Sequence, residues 1–142
     1  MTSVTNWVPI DASIRSRKEM AELGVYRIRA VDQLGNAIPI DRIAGIDSEG
    51  ILYIGRSGFF PGRRTVAIRL AEFQKGKHSG STTYNRVKAT WESCTLYKGH
   101  RLEAQALLLD LGKKVSACER CLQRIYIWVF GELPPLNSQK PW

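Results

Sequence analysis

Gly24-Val25-Tyr26-Arg27-Ile28-Arg29-Ala30 and Ile51-Leu52-Tyr53-Ile54-Gly55 are the stretches whose reading decides the fold. In the first, Val25, Arg27 and Arg29 alternate with Tyr26, Ile28 and Ala30. Side chains alternate across a strand with period two, so this run predicts a half-buried strand. The second run is short and apolar and stops at Gly55, which predicts another strand. Between them, residues 31–50 are polar and turn-rich, with Gly35-Asn36, Pro39, Gly45 and Glu49-Gly50. An extended hairpin connection is expected there. Residues 102–110 could form strand or helix. The alternation of Leu102, Ala104, Ala106 and Leu108 against Glu103 and Gln105 favours a third strand.

Outward from these strands the pattern turns helical. Residues 11–23 predict a short helix, with Asp11 or Ser13 as N-cap and Gly24 as its end. Val66, Leu70 and Phe73 give residues 65–73 one apolar face. Residues 56–64 and 74–81 read as loops. Thr82 or Thr83 could cap a helix running to about residue 94, with Tyr84, Val87 and Trp91 on one side. A last helix is expected over 116–129, capped by Ser116, with Leu122, Ile125, Tyr126 and Val129 as its buried stripe. It stops before Gly131, and Pro134-Pro135 forbids continuation. The expected fold is a single α/β (α+β) domain. Residues 1–23 form an N-terminal arm and short helix, and 24–142 form a small three-stranded antiparallel sheet flanked by helices. A length of 142 residues suits one core.

Charge narrows the partners. Lys and Arg number 21 against 13 acidic residues, a net charge of +8 that attracts polyanions. No apolar run has the length a bilayer span needs, so no membrane partner is expected. The N-terminal stretch lacks a basic start followed by an apolar block, so no signal peptide is expected and a cytoplasmic location is the default. Three cysteines, Cys94, Cys118 and Cys121, do not suggest a disulfide framework. Cys118 and Cys121 form a single C-x-x-C, short of the four ligands of structural zinc, and read as small residues on the buried side of a helix.

Five features then follow one another along the chain: Gly24-Val25-Tyr26, Tyr53-Ile54-Gly55, Arg69 in IRLAEF, Glu119 in ACERCL, and Asn137 in GELPPLN. In this order the sequence resembles the GIY-YIG nuclease superfamily over residues 24–137. Gly24-Val25-Tyr26 stands where the family has its first tripeptide, and Tyr53-Ile54-Gly55 matches the second without change. The resemblance implies a metal-dependent DNA endonuclease in which Tyr26 or Tyr53 assists the attacking water. It also implies that Arg69 is the helix arginine, Glu119 the metal-binding acid and Asn137 the closing asparagine. Asn137 would position a tyrosine or the water. The 26 residues between Tyr26 and Tyr53 exceed the usual separation, and the loop from Gly55 to Arg69 is also long, as in restriction-enzyme members. The register of the arginine therefore stays open, with Arg63 and Arg64 as competitors. Some restriction-type relatives also place a histidine near the cleft, and His78 is the candidate here.

The chemistry of these residues agrees with phosphodiester hydrolysis of duplex DNA. A lone carboxylate suffices for Mg²⁺ (or Mn²⁺), because Mg²⁺ keeps several waters and accepts phosphate oxygens. Arg69 would add a permanent, fork-shaped phosphate donor. A tyrosine can act as a base only if neighbouring positive charge lowers its pKa. Arg56 could contact phosphate or simply face solvent. Each residue also has an ordinary reading: strand aromatics for the tyrosines, a solvated face for Arg69, a dipole-favoured carboxylate for Glu119, a turn former for Asn137. Glu103 competes with Glu119 for the metal; it lies in an alternating run rather than at a helix start, which favours Glu119. The alternatives to an enzyme are a non-catalytic nucleic-acid-binding module on the same fold and a protein-interaction domain. Residues 31–50 are the best candidates for reading base edges. Cutting both strands would require a homodimer or two successive nicks.

Overall fold

Half-buried alternation places the strands where the sequence predicts them, and the backbone then closes them into one antiparallel sheet. The computed structural model describes residues 3–58, 64–109 and 114–138. The strands are β1 (Ser3–Val4), β2 (Val8–Pro9), β3 (Gly24–Val31), β4 (Ile40–Arg42), β5 (Gly45–Asp47), β6 (Ile51–Arg56) and β7 (Arg101–Leu108). The helices are α1 (Val66–Gln74), α2 (Ser79–Glu92) and α3 (Val115–Phe130). The main sheet runs β1-β7-β3-β6, with β2 also on β7, and β4–β5 form a separate hairpin within the 31–50 connection. The fold is mixed α+β, and among the described residues no helix is long and apolar enough to cross a membrane.

The expected three-stranded sheet is corrected to five strands. The N-terminal arm supplies the other two, pairing Ser3 with Leu108 and Val8 with Ala104. Without it, the outer edge of β7 would leave a row of unpaired backbone groups. Two-residue strands carry no alternation, so the sequence gives no signal for them.

Side chains on the two faces of the sheet meet different helices. Tyr26, Ile28, Ala30, Ala104 and Ala106 pack with Val66, Leu70 and Phe73 of α1 and Tyr84 of α2. On the other face, Val25, Ile51 and Ile54 pack with Val115 and Tyr126 of α3. A register shift between Ile28 and Arg29 interrupts the β3–β6 ladder. It lets the adjacent Leu52 and Tyr53 both join the first cluster. Buried Asp47 ties the hairpin to α3: its carboxylate accepts from the N–H groups of Glu49, Gly50 and Ile51 and from the Tyr126 hydroxyl.

Three helical expectations are corrected. Residues 11–23 form two separate 3₁₀ turns, Ile14–Ser16 and Lys18–Met20, rather than one helix. The two side chains that must be buried, Ile14 and Met20, are six residues apart and would lie on different sides of an α-helix. Helix α2 starts earlier than Thr82, because His78 caps it in a reciprocal box with Ser81. Ser116 lies inside α3, whose N-cap is Lys114 with no side-chain bond. In the stripe expected to be buried, Tyr126 is inside, but Ile125 and Val129 are exposed. Cys118 is half-buried, whereas Cys121 is exposed rather than on the buried side.

Candidate active site

The two tripeptides are built around glycines that cannot carry a side chain. A Cβ on Gly24 would lie 2.2 Å from the Leu107 carbonyl oxygen, so only glycine lets β3 start this close to β7. Gly55 pairs with Tyr26 across the ladder. A Cβ there would sit 2.5 Å from Tyr53 Cε1 and 2.7 Å from both Cζ and Oη of Tyr26. The two rings therefore converge over Gly55, with centroids 6.2 Å apart. Gly55→Ala is expected to force these rings aside at a cost of about 1–3 kcal/mol. Thermal unfolding would show it; an unchanged midpoint would mean that the rings move freely.

His78 joins the tyrosines because it caps α2. Its Nδ1 accepts from the Gly80 N–H at 3.0 Å, and its Nε2 lies 2.7 Å from Tyr26 Oη. Burial, aided by the Arg69 charge, lowers the His78 pKa to about 4, so the ring is neutral at neutral pH. A neutral ring with Nδ1 accepting carries its proton on Nε2. His78 therefore donates to Tyr26, whose own O–H is left to point elsewhere. The imidazole also stands edge-on to Tyr53, with centroids 5.0 Å apart.

Arg69 projects from α1 toward the same place. Its Nη1 donates to Glu72 Oε2 at 2.5 Å, and Glu72 also faces Arg64 at 3.6 Å. The remaining guanidinium edge is directed at the tyrosines. Its charge and hydrogen bonding lower the Tyr26 pKa, against a larger rise from burial that leaves Tyr26 well above the usual phenol range. Tyr53 is raised too, first by burial, while a hydrogen bond with Ser79 and the Arg69 charge oppose the shift. Arg69 acts on both tyrosines and on His78. This supports it over Arg64; Arg63 lies outside the described residues.

Glu119 comes from the first turns of α3, with its side chain 19% exposed and Oε1 3.5 Å from Arg56 Nε. Burial raises its pKa, and Arg56, Arg69 and Arg120 pull it down. Its charge in turn raises both tyrosines, so it belongs to the same cluster. Glu103 does not. Its Oε1 accepts from Nε and Nη2 of Arg29 at 3.1 and 2.8 Å, on the sheet face away from Tyr26. Trp7 stacks over that pair, 4.1 Å from Arg29 Cζ.

Asn137 departs from its expected role. Its Oδ1 accepts from the Ile54 N–H and its Nδ2 donates to the Ile54 carbonyl, both at 2.9 Å. Neither polar atom touches a tyrosine hydroxyl; the residue instead pins the C-terminal segment to β6 beside Tyr53. Gln123 of α3 donates to the same Ile54 carbonyl at 3.2 Å. One turn of α3 separates Gln123 from Glu119, so this contact fixes the carboxylate against the Tyr53 strand.

The sequence reading missed Glu72, Ser79, Gly80, Gln123 and Phe73. Glu72 follows Arg69 at the three-residue helical spacing, a signal that was present. Gly80 is needed because a Cβ would stand 2.9 Å from Tyr53 ring atoms, which only the fold shows. Among the described residues, no group of three or more His, Cys, Asp or Glu side chains is arranged to hold a metal ion. No protein-family model, curated protein or solved structure matches the chain.

Proposed function

We propose that this chain is a metal-dependent DNA endonuclease of the GIY-YIG type, hydrolysing phosphodiester bonds in duplex DNA. The observation that carries the reading is the cluster of Tyr26, Tyr53, His78 and Arg69, with Glu119 of α3 near enough for its charge to act on both tyrosines. A structural core has no need of a buried and a half-buried tyrosine, a neutral histidine, an arginine and a partly desolvated carboxylate together. Such groups with shifted pKa values cluster at functional sites.

Tyr26 is the better placed of the two tyrosines to activate water. Its oxygen receives the His78 N–H and faces Arg69, and both favour the phenolate over the phenol. Burial keeps it a phenol until further positive charge arrives. Arg69 and Arg56 supply phosphate donors, with Glu72 holding the Arg69 fork in place. Glu119 fits a hard divalent ion, since it is a partly buried oxygen donor with a half-exposed Arg56 at 3.5 Å and the charges of Arg69 and Arg120 acting on it, and among the described residues no hydrogen bond at its oxygens would exclude a cation. Mg²⁺ or Mn²⁺ held there would supply charge stabilisation on the phosphate. Asn137 and Gln123 both bond to Ile54 and so tie the C-terminal segment and α3 to β6, the strand that carries Tyr53.

The test is supercoiled plasmid incubated with the purified protein and Mg²⁺ or Mn²⁺, in parallel with chelator. Nicked or linear product should form only with the cation. Equal cleavage in EDTA would refute the metal dependence. Salt-sensitive DNA binding without cleavage under any condition would replace the enzyme by a non-catalytic binding module.

A further inference from the structure

Residues 75–91 hold Lys75, Lys77, Arg86 and Lys88 and no carboxylate. They form the turn after α1 and nearly all of α2. Helix α2 starts at the tyrosine cluster: His78 bonds to Tyr26 from the N-cap, and the Ser79 side chain bonds to Tyr53. Lys77 therefore stands next to the site. Gly76, at φ +75°, turns the chain back onto α2, where a Cβ would lie 3.1 Å from Asn85 Nδ2. That approach sets the turn beside Arg86. Lys75, Lys77, Ser79, Thr82 and Arg86 are all exposed, and the last three share one face of the helix. The acids that bracket this run are engaged elsewhere: Glu72 with Arg69 and Arg64, and Glu92 with the Gly99 N–H. Among the described residues, none of Lys75, Lys77 and Arg86 is ion-paired. Lys88 is set apart, with its ammonium over the Tyr84 ring.

The 31–50 connection has the opposite sign, with Asp32, Asp41, Asp47 and Glu49 against Arg42. Arg42 is itself taken by Glu132. The hairpin is tied to the end of α3 by the Ala44 N–H on the Phe130 carbonyl, about 16 Å along the helix axis from Glu119. A polyanion leaving the site toward this connection meets acids, and one following α2 meets cations. We infer that duplex DNA lies along the α1–α2 turn and the outer face of α2, with Lys75, Lys77 and Arg86 neutralising backbone phosphates on one side of the scissile bond. From Ser79 to Arg86 the helix rises about 10 Å, roughly three steps of a DNA strand at ~3.4 Å each. The 31–50 connection, expected from the sequence to read base edges, then faces away from the duplex. The inference rests on the DNA reading of the site but not on catalysis.

Fluorescence anisotropy of a labelled DNA duplex, titrated with the whole chain in EDTA over a range of KCl, tests it without cleavage. The parent should bind with an affinity that falls steeply as salt rises. Lys77→Gln with Arg86→Gln should bind at least about 10-fold more weakly at low salt, with a log–log slope shallower by about two. Lys98→Gln with Arg101→Gln removes the same charge at the other end of the sheet, where Gly99 abuts Gln33 and Arg101 pairs with Val31. That variant should keep the parental slope. Circular dichroism checks that both remain folded. A parent that binds no duplex overturns the DNA reading and this surface together. A parent that binds, with an unchanged slope in Lys77→Gln/Arg86→Gln or equal losses in both double variants, overturns the surface alone. Tighter parental binding to an RNA duplex than to DNA overturns the choice of occupant.

Discussion

Glu119→Gln is expected to abolish DNA cleavage, lowering the rate by at least about 100-fold, while the protein stays folded and still binds DNA. Gln keeps the size and shape of the side chain and removes only the negative charge. That charge is not needed for packing: the carboxylate is partly desolvated, and burial raises its pKa. Its loss also relieves the rise it imposes on both tyrosines, so any slowing cannot be blamed on a harder tyrosine ionisation. The contrasting variant is Glu103→Ala. Glu103 engages Arg29 on the other sheet face, so its loss strands a guanidinium at a cost of about 1–3 kcal/mol yet leaves the site assembled. It should cleave at the parental rate below its lowered melting temperature. Plasmid cleavage and metal affinity of the two variants decide the matter. A dead Glu103 variant beside an active Glu119→Gln would overturn the assignment of the metal ligand.

The contrast between these glutamates was already legible in the sequence, because alternation places Glu103 opposite Ala104 and Ala106 once 101–108 is a strand. The same period reads β3, and apolar spacing reads α1 and most of α3. What failed has physical causes. His78 as a helix cap is outside the usual Ser, Thr, Asp and Asn set, so α2 was begun too late. Helix α3 carries two apolar stripes at helical spacing, and sequence alone cannot say which one meets the sheet; Ile125 and Val129 went to the wrong one. Asn137 was found by its place in GELPPLN, but its bonds to Ile54 depend on where the chain returns after α3. The arm strands were invisible because their pairing is dictated by the bare edge of β7 rather than by their own side chains.

Tyr26→Phe should slow cleavage by about 10²–10⁴-fold with DNA affinity nearly unchanged, and Tyr53→Phe should act in the same direction. The ring that packs over Gly55 survives in both, so the hydroxyl alone is tested. The pH profile then separates Tyr26 from His78. His78 has its pKa lowered to about 4 by burial and by Arg69, below the 6.5 of the unfolded chain. The unfolded state therefore binds more protons between these values. Stability from His78 is complete above pH 6.5 and is lost as pH falls through about 4. Within the fold, His78 does not change charge from pH 6 upward. Tyr26 is raised well above its usual range, so its phenolate fraction increases tenfold per pH unit throughout the neutral region. The cleavage rate, measured at saturating cation, should climb from pH 6 to 9 without a step near 6.5. His78→Asn keeps a good helix cap and removes the ring, and it should lower the rate without changing that slope. A step near pH 6.5 in the parent that vanishes in His78→Asn would make the histidine the titrating base. Tyr26 variants cutting at the parental rate would reduce the tyrosine to packing.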